Sequence, residues 1–172
     1  MTAAAGELPD PDDRAFLRLC VDLAREALDA GDEPFGSVLV DAEGRVLRSD
    51  RNRVGAGDQT QHPEIALARW AVEHLDPEQR RTSTVYTSGE HCPMCSAAHA
   101  WVGLGRIVYA ASSAQLSGWH EEWGLAPGPV APLPVHVVAP SVPVSGPDPV
   151  LAVEVRALHA RLLGVPEGQA AD

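Results

Sequence analysis

Residues 82–111 read TSTVYTSGEHCPMCSAAHAWVGLGRIVYAA, and this stretch decides the fold. Residues 82–87 are mostly β-branched or aromatic and predict a strand. Pro93 suits the first turn of a helix that runs to Leu104, and residues 106–111 predict a second strand. A strand, a helix and a strand in succession indicate a sheet with helices packed on its faces.

The segments upstream extend the same alternation. Apolar residues recur at helical spacing after Asp12 and Asp13, and Gly31 ends that run as a C-cap would. The next elements are predicted as strands over 36–40 and 46–54, joined by a turn at 41–44, and a helix over 63–75. The order of elements is typical of an α/β fold.

The region after residue 126 is rich in proline, with eight prolines in residues 127–149. Proline removes a ladder donor, so only residues 135–139 are predicted to pair, as an edge strand. A closing helix is predicted over residues 150–163. We expect one domain over residues 1–172, with a core over about 12–124 and a proline-rich segment and C-terminal helix over 125–164.

Composition narrows the function classes. The chain has 172 residues and a net charge of −11, so a nucleic-acid partner is disfavoured. Four arginines lie close together in the predicted hairpin, and we interpret them as the charged edge of a sheet: Arg45, Arg48, Arg51 and Arg53. Three cysteines do not form a disulfide framework, and the sequence shows neither a signal peptide nor a membrane-length apolar run. We therefore expect a cytoplasmic protein that does not bind membranes.

One histidine and two cysteines have the spacing of a metal site. Cys92 and Cys95 lie three residues apart at the head of a predicted helix, where the positive helix end favours thiolates. His62 lies at the head of another. If both helices pack on one face of the sheet, these side chains converge and leave a fourth position of a zinc ion, Zn²⁺, open for water. Glu64, two residues beyond His62, then takes protons from that water and passes them on.

The pattern resembles the cytidine-deaminase superfamily, and especially its guanine-deaminase-like branch. The residues that carry the resemblance are His62-Pro63-Glu64, Cys92-Pro93-Met94-Cys95, Pro34-Phe35-Gly36, Asn52, Thr87-Ser88-Gly89-Glu90 and Tyr109-Ala110-Ala111. The resemblance implies a three-layer α/β/α fold with a mixed sheet of about five strands, and an oligomer, which we expect to be a homodimer. It also implies zinc on His62, Cys92 and Cys95, with Glu64 as the proton shuttle.

The same resemblance implies roles in the substrate pocket. Asn52 matches a family asparagine whose amide contacts substrate, and Phe35 matches a position near the pocket wall. His91 stands where proline is usual and lies either at a surface turn or in the pocket. Pro63 replaces a usual alanine and removes one backbone N–H.

Residues 112–119 contain no acid, although guanine deaminases of this type carry an aspartate there that reads the purine edge. Gln115 offers both a donor and an acceptor, and Trp119 offers a ring for stacking on a flat base. Cys20, His99 and Trp101 are predicted to lie in the core.

The sequence therefore predicts a zinc-dependent hydrolytic deaminase of a small aminated nucleobase or nucleoside, purine-like, that releases ammonia. Cytosine, cytidine or another nitrogen heterocycle stays open as substrate. Editing of adenosine in transfer RNA is disfavoured by the acidic balance. Two other classes are thiol redox chemistry at Cys92 and Cys95, which leaves His62 and Glu64 without a role, and a zinc-stabilised binding module without catalysis.

Overall fold

The computed structural model describes residues 7–166, so both ends of the expected domain lie outside the described residues. Within this range the α-helices are α1 Pro11–Asp29, α2 Pro63–His74, α3 Pro77–Thr82, α4 Pro93–Val102, α5 Ser113–Glu122, α6 Val135–Val138 and α7 Leu151–Leu162, and Val54–Ala56 forms a 3-10 turn at the end of the strand predicted over 46–54. The strands are β1 Gly36–Val40, β2 Val46–Arg51, β3 Thr84–Gly89, β4 Arg106–Ala111 and β5 Val144–Ser145. None of the helices in residues 7–166 is long and apolar enough to cross a membrane.

The five strands form one mixed sheet in the order β2-β1-β3-β4-β5. Strand β1 is antiparallel to β2 and to β3, whereas β3, β4 and β5 run parallel. Strand β2 lies at one edge, as the arginine-rich pattern predicts. Arg51 at the end of this strand pairs with Asp32 at 2.7 Å, and Arg53, two residues beyond the strand, pairs with Asp50.

Helices cover both faces of the sheet because side chains alternate along each strand. Val38 and Val108 pack with α1 and α7 on one face. Leu39 and Val85 point to the other face, where they pack with α2 and residues of α4. This arrangement confirms the three-layer α/β/α fold with a mixed, five-stranded sheet.

A buried polar cluster ties α1 to the sheet. Asp13 accepts hydrogen bonds from both terminal nitrogens of Arg106, at 3.0 and 2.8 Å, and from the hydroxyl of Tyr86 at 2.9 Å. It also completes a capping box with Asp10, the N-cap of α1. Asp13 therefore belongs to the first turn of the helix, as predicted, and is buried there.

Several predicted elements differ from the structure. Residues 77–82 form the short helix α3, with Asp76 and Gln79 in a capping box, so the following strand begins only at Thr84. The predicted edge strand over 135–139 is wrong: residues 135–138 form the helical turn α6, and β5 is the edge strand. Helix α5 was not predicted.

Trp101 is also a correction to the predicted core, since its side chain is 89% exposed. The inward face of α4 carries Ser96 and His99 instead. The hydroxyl of Ser96 donates to the carbonyl of His91 at 3.2 Å, and Nε2 of His99 donates to the carbonyl of Gly105 at 2.9 Å. These bonds orient α4 so that Trp101 lies on its outer side. Cys20 and His99 are buried, as predicted.

Candidate metal and catalytic site

The three predicted metal ligands lie together where α2 and α4 begin. His62 is the N-cap of α2 and Cys92 is the N-cap of α4, while Cys95 lies in the first turn of α4. Because α2 and α4 pack against each other on one face of the sheet, their amino ends converge. The convergence that the sequence predicts is therefore present.

Their spacing fits a tetrahedral zinc ion. Nδ1 of His62 lies 3.6 Å from Sγ of Cys92 and 3.7 Å from Sγ of Cys95. Zinc bonds of about 2.1 Å to nitrogen and 2.3 Å to sulfur place two tetrahedral ligand atoms about 3.6 Å apart. All three ligand atoms lie within 4.8 Å of one another. Three protein ligands leave one tetrahedral position for water or substrate, which is typical of a catalytic rather than a structural zinc.

The protonation of the two cysteines also favours binding of a cation between them. Hydrogen bonds from Cys95 and from His62 lower the pKa of Cys92 to about 4, so its sulfur is a thiolate at neutral pH. That thiolate and burial raise the pKa of Cys95. A second thiolate beside the first is therefore unfavourable until a divalent cation compensates both, and a coordinated thiol loses its proton.

Glu64 lies in the first turn of α2 and is 6% exposed. Burial raises its pKa, and the neighbouring His62 opposes that rise. Its Oε1 accepts hydrogen bonds from the hydroxyls of Ser37 at 3.2 Å and Thr87 at 3.0 Å. A buried carboxylate with a raised pKa, two residues from a metal ligand, is suited to accept and donate protons near neutral pH.

A cavity of about 810 Å³ opens onto this group. His62, Glu64 and Cys92 line it together with Phe35 from the loop before β1. Another part of its wall is formed by residues 125–128 and 130–132, in a stretch we call the covering segment, residues 123–134 between α5 and α6. Phe35 therefore lies where the sequence predicts a wall of the substrate pocket.

The other predicted substrate residues lie outside the lining of this cavity. His91 is buried with its ring 5.3 Å from that of His99, and Gln115 completes the capping box of α5 with Ser112. His91 is therefore not at a surface turn, and its Nδ1 has no hydrogen-bond partner within residues 7–166. Contacts of His91 and Gln115 with substrate stay predictions. Trp119 lines a small separate cavity behind Phe35. Asn52 is buried, and its Oδ1 accepts from the backbone N–H of Val54 at 3.0 Å.

Sequence reasoning missed one whole wall of the cavity. Five residues of α5 line it: Ser113, Leu116, Ser117, His120 and Glu121. Their positions i, i+3, i+4, i+7 and i+8 trace one face of a helix, and this spacing was the available signal.

Glu90 was missed as well, although it precedes the cysteine motif. Its Oε2 accepts from the backbone N–H of Ser113 at 2.8 Å, and its Oε1 accepts from that of Val135 at 2.9 Å. One carboxylate thus holds the first residue of α5 and the first residue of α6, and thereby fixes both sides of the covering segment.

Several known proteins are similar to this chain in sequence or in fold. The protein of Schizosaccharomyces pombe named "Probable cytosine deaminase" is 37% identical over 116 residues, which cover 67% of this chain and 70% of that protein. A tRNA-specific adenosine deaminase of Agrobacterium fabrum is 37% identical over 97 residues, 56% of this chain and 63% of its own length. The X-ray structure of guanine deaminase from Bacillus subtilis superposes with a TM-score of 0.53 at 32% identity, covering 61% of this chain and 68% of that one.

The family description "Cytidine and deoxycytidylate deaminase zinc-binding region" matches residues 10–111. That match covers more than half of the chain and includes α1, α2, α4 and the three candidate zinc ligands. The protein therefore belongs to the cytidine and deoxycytidylate deaminase family and is a zinc-dependent hydrolytic deaminase.

Proposed function

We propose that this enzyme deaminates a small aminated nitrogen heterocycle, a nucleobase or nucleoside that is purine-like, and releases ammonia. The position of Glu64 carries the proposal, because this buried carboxylate lies beside His62 and Cys92 in the wall of one cavity. The overall reaction replaces an exocyclic amino group with a carbonyl oxygen that comes from water.

His62, Cys92 and Cys95 would hold the zinc ion. When bound, zinc supplies Lewis acidity that makes water a nucleophile near neutral pH. The hydrogen bonds to Ser37 and Thr87 fix Glu64 in place, so that its carboxylate faces the same cavity without being needed as a ligand.

Glu64 handles every proton in the proposed reaction. It accepts one proton from the attacking water and donates it to the ring nitrogen. It then takes the second proton from the oxygen now bonded to the ring carbon and gives it to the amine, so that the C–N bond breaks, ammonia leaves and a carbonyl forms. The raised pKa of Glu64 suits a group that must be protonated in one step and ionised in the next.

A flat, uncharged heterocycle fits the cavity better than a nucleic acid. Phe35 and His120 place rings in its wall, and no lysine or arginine lines it within the described residues. The relatives named for cytosine, guanine and transfer RNA adenosine act on three different bases. We favour a purine-like base because the cavity is large, and keep cytosine, cytidine and other nitrogen heterocycles as alternatives.

Asn52 and Trp119 stay in the proposal as residues that shape the pocket. The amide nitrogen of Asn52 is buried and has no hydrogen-bond partner within residues 7–166, which leaves a donor for substrate. Trp119 lines the small cavity behind Phe35, together with His159. We propose that it supports Phe35 rather than stacking on the base itself.

The test is ammonia release by zinc-loaded protein from aminated purines, pyrimidines, their nucleosides and a transfer RNA. A substrate is expected among the free bases or nucleosides, and Glu64→Gln is expected to abolish turnover while keeping zinc. Glu73→Gln is the matched control, because Glu73 is exposed on the same helix. Turnover that survives in Glu64→Gln, or that occurs only with the transfer RNA, contradicts the proposal.

Three broader expectations belong to this proposal. We propose one domain, because α7 packs against α1 and β4 and thus joins residues after 125 to the core. We propose a homodimer, for which the exposed Trp101 offers a contact, and light scattering after gel filtration measures its mass. A cytoplasmic location and a role in purine metabolism stay predictions.

A further inference from the structure

The cavity at the metal site has two parts that differ in chemistry. Its inner part is polar and contains the buried Glu64 beside His62 and Cys92. Its mouth lies between the covering segment, which lines it mostly with apolar residues, and α5, which contributes Leu116 beside four polar or charged residues. The apolar residues there include Leu116, Leu125, Ala126, Val130 and Ala131. Leu125 and Val130 are 37% and 59% exposed, which places them at the opening.

The size of the cavity exceeds what one bare ring requires. Its volume of about 810 Å³ lies in the upper part of the range of roughly 300–1,000 Å³ that is typical of sites for drug-sized ligands. When the amino group of a ring reaches Glu64, space therefore remains between the ring and the covering segment. A substituent on the ring would fill that space.

The charges around this space disfavour a phosphate. Three carboxylates line the cavity, from Glu64, Glu90 and Glu121, and no lysine or arginine lines it within residues 7–166. Recognition of phosphate ordinarily uses arginine or lysine. Both oxygens of Glu90 already accept backbone N–H groups, and Glu121 has no ion-pair partner among the described residues. A phosphorylated substituent would meet a carboxylate and an apolar wall.

The covering segment is held in this position by Glu90, the residue that follows β3. Glu90 follows β3 directly and binds the backbone at Ser113 and at Val135, on either side of the segment. The same cavity is lined by the metal-site residues and by the covering segment, so the two parts are continuous.

We propose that the substrate is an unphosphorylated aminated heterocycle with an apolar substituent, which the covering segment encloses. This inference rests on the proposed deaminase function and specifies its substrate class. The ring lies at Glu64, and the substituent lies against Leu116, Leu125 and Val130. Burial of such a substituent away from water strengthens binding in proportion to its apolar area.

The experiment uses calorimetric binding to zinc-loaded Glu64→Gln protein, which does not consume the ligands. Three compounds share one head group with a free amino group: the bare base, its derivative with a benzyl group on the ring nitrogen that carries the sugar in nucleosides, and its nucleoside 5′-monophosphate, for adenine, guanine and cytosine in turn. We expect the benzyl derivative of the preferred head group to bind at least about tenfold more tightly than the bare base. The monophosphate is expected to bind more weakly than the bare base.

A matched pair of variants locates the effect. Val130→Asp, introduced into the Glu64→Gln background, places a charge in the mouth and is expected to lower the benzyl-to-base affinity ratio at least about threefold. Val137→Asp makes the same change on α6, outside the cavity lining and at a similar exposure of 54%, and is expected to leave the ratio unchanged. Leu125→Asp repeats the test if Val130→Asp folds poorly, as judged by circular dichroism.

Equal affinities for benzyl and bare compounds, tighter binding of the monophosphate, or an equal effect of Val137→Asp would overturn the inference. Ammonia release by the wild-type enzyme is measured on the same compounds. If none releases ammonia while the affinity order holds, the proposed function fails and the ligand class stands. If bare bases are deaminated but the affinity order is absent, the function stands and this inference fails.

Discussion

Ser37 and Thr87 face each other across β1 and β3, and their hydroxyl oxygens lie 2.9 Å apart. Both hydroxyls also contact Oε1 of Glu64. All three side chains are buried, so water does not compete for these bonds. The antiparallel register of two central strands thus fixes one oxygen of the carboxylate, and we expect proton exchange with substrate to occur at the other oxygen, Oε2.

Ser37→Ala removes one of these bonds and is expected to lower kcat about tenfold with little change in KM. A hydrogen bond to a charged group contributes about 1.5–3 kcal/mol, and a misplaced carboxylate affects proton transfer more than binding. Steady-state kinetics on the preferred substrate measure both parameters. Ser49→Ala, at an exposed position of β2, is the control. An unchanged kcat in Ser37→Ala would show that Thr87 alone positions Glu64.

Cys95→Ser is expected to reduce bound zinc well below one ion per chain. The thiolate is lost and the remaining histidine and cysteine cannot hold the ion alone. Atomic emission spectrometry after gel filtration measures the metal. Cys20→Ser changes a cysteine that is buried in the core and does not line the cavity, and should keep zinc even if its Tm falls. Full zinc occupancy in Cys95→Ser would remove Cys95 from the ligand set.

Acidification is expected to destabilise the fold through buried histidines. Burial lowers the pKa of His159 to about 3 and that of His99 to about 4. Below the unfolded pKa of about 6.5, the unfolded chain takes up protons that the folded chain does not. The stability is therefore complete above about pH 6.5 and is lost as pH falls, by about 1.4 kcal/mol per pH unit and ring.

Urea denaturation at pH 7 and pH 5 measures this dependence. His159→Gln is expected to reduce the loss by about 2 kcal/mol, because one buried ring no longer titrates on unfolding. His136→Gln, at an exposed position on α6, should leave the loss unchanged. If His159→Gln loses as much stability between pH 7 and pH 5 as the wild type does, the pKa of His159 is not lowered in the folded chain and the prediction is wrong.

Asp13→Ala is expected to lower the free energy of unfolding by about 2–3 kcal/mol. The substitution leaves Arg106 and the hydroxyl of Tyr86 without their shared acceptor, and Arg106 is one-third exposed, which moderates the cost. Asp12→Ala, at an exposed position of the same turn, is the control. Chemical denaturation of both variants measures the free energy of unfolding. A loss of only about 1 kcal/mol in Asp13→Ala, the usual cost of a lost helix cap, would contradict a stabilising role of the bonds to Arg106 and Tyr86.

The sequence predicted the parts of this protein that local pattern determines. Apolar periodicity located α1, α2, α4, α7 and the central strands, and the spacing of His62, Glu64, Cys92 and Cys95 located the metal site. The misplaced elements depend on distant contacts. Residues 135–139 include three valines, which locally favour a strand, yet the N–H of Val135 donates to Glu90, 45 residues earlier in the chain. That bond is invisible in the local sequence.

Helix α5 was missed for a related reason. Gly118 and two serines, Ser113 and Ser117, give it a weak intrinsic preference for helix. The capping box of Ser112 and Gln115, together with the bond from Ser113 to Glu90, supports it instead. The substrate wall that α5 carries could therefore not be read from composition, although its helical spacing was present.

The two hydrogen bonds from backbone N–H groups to Glu90 allow the covering segment to vary in sequence independently of the zinc ligands. These bonds hold the backbone on both sides of residues 123–134 and do not involve any side chain within that segment. Insertions or exchanges in that interval can accumulate while the strand ends and the zinc ligands keep their places. If the covering segment encloses the substituent of the substrate as proposed, exchanges within residues 123–134 are expected to change which molecule the enzyme prefers while the zinc ligands stay the same.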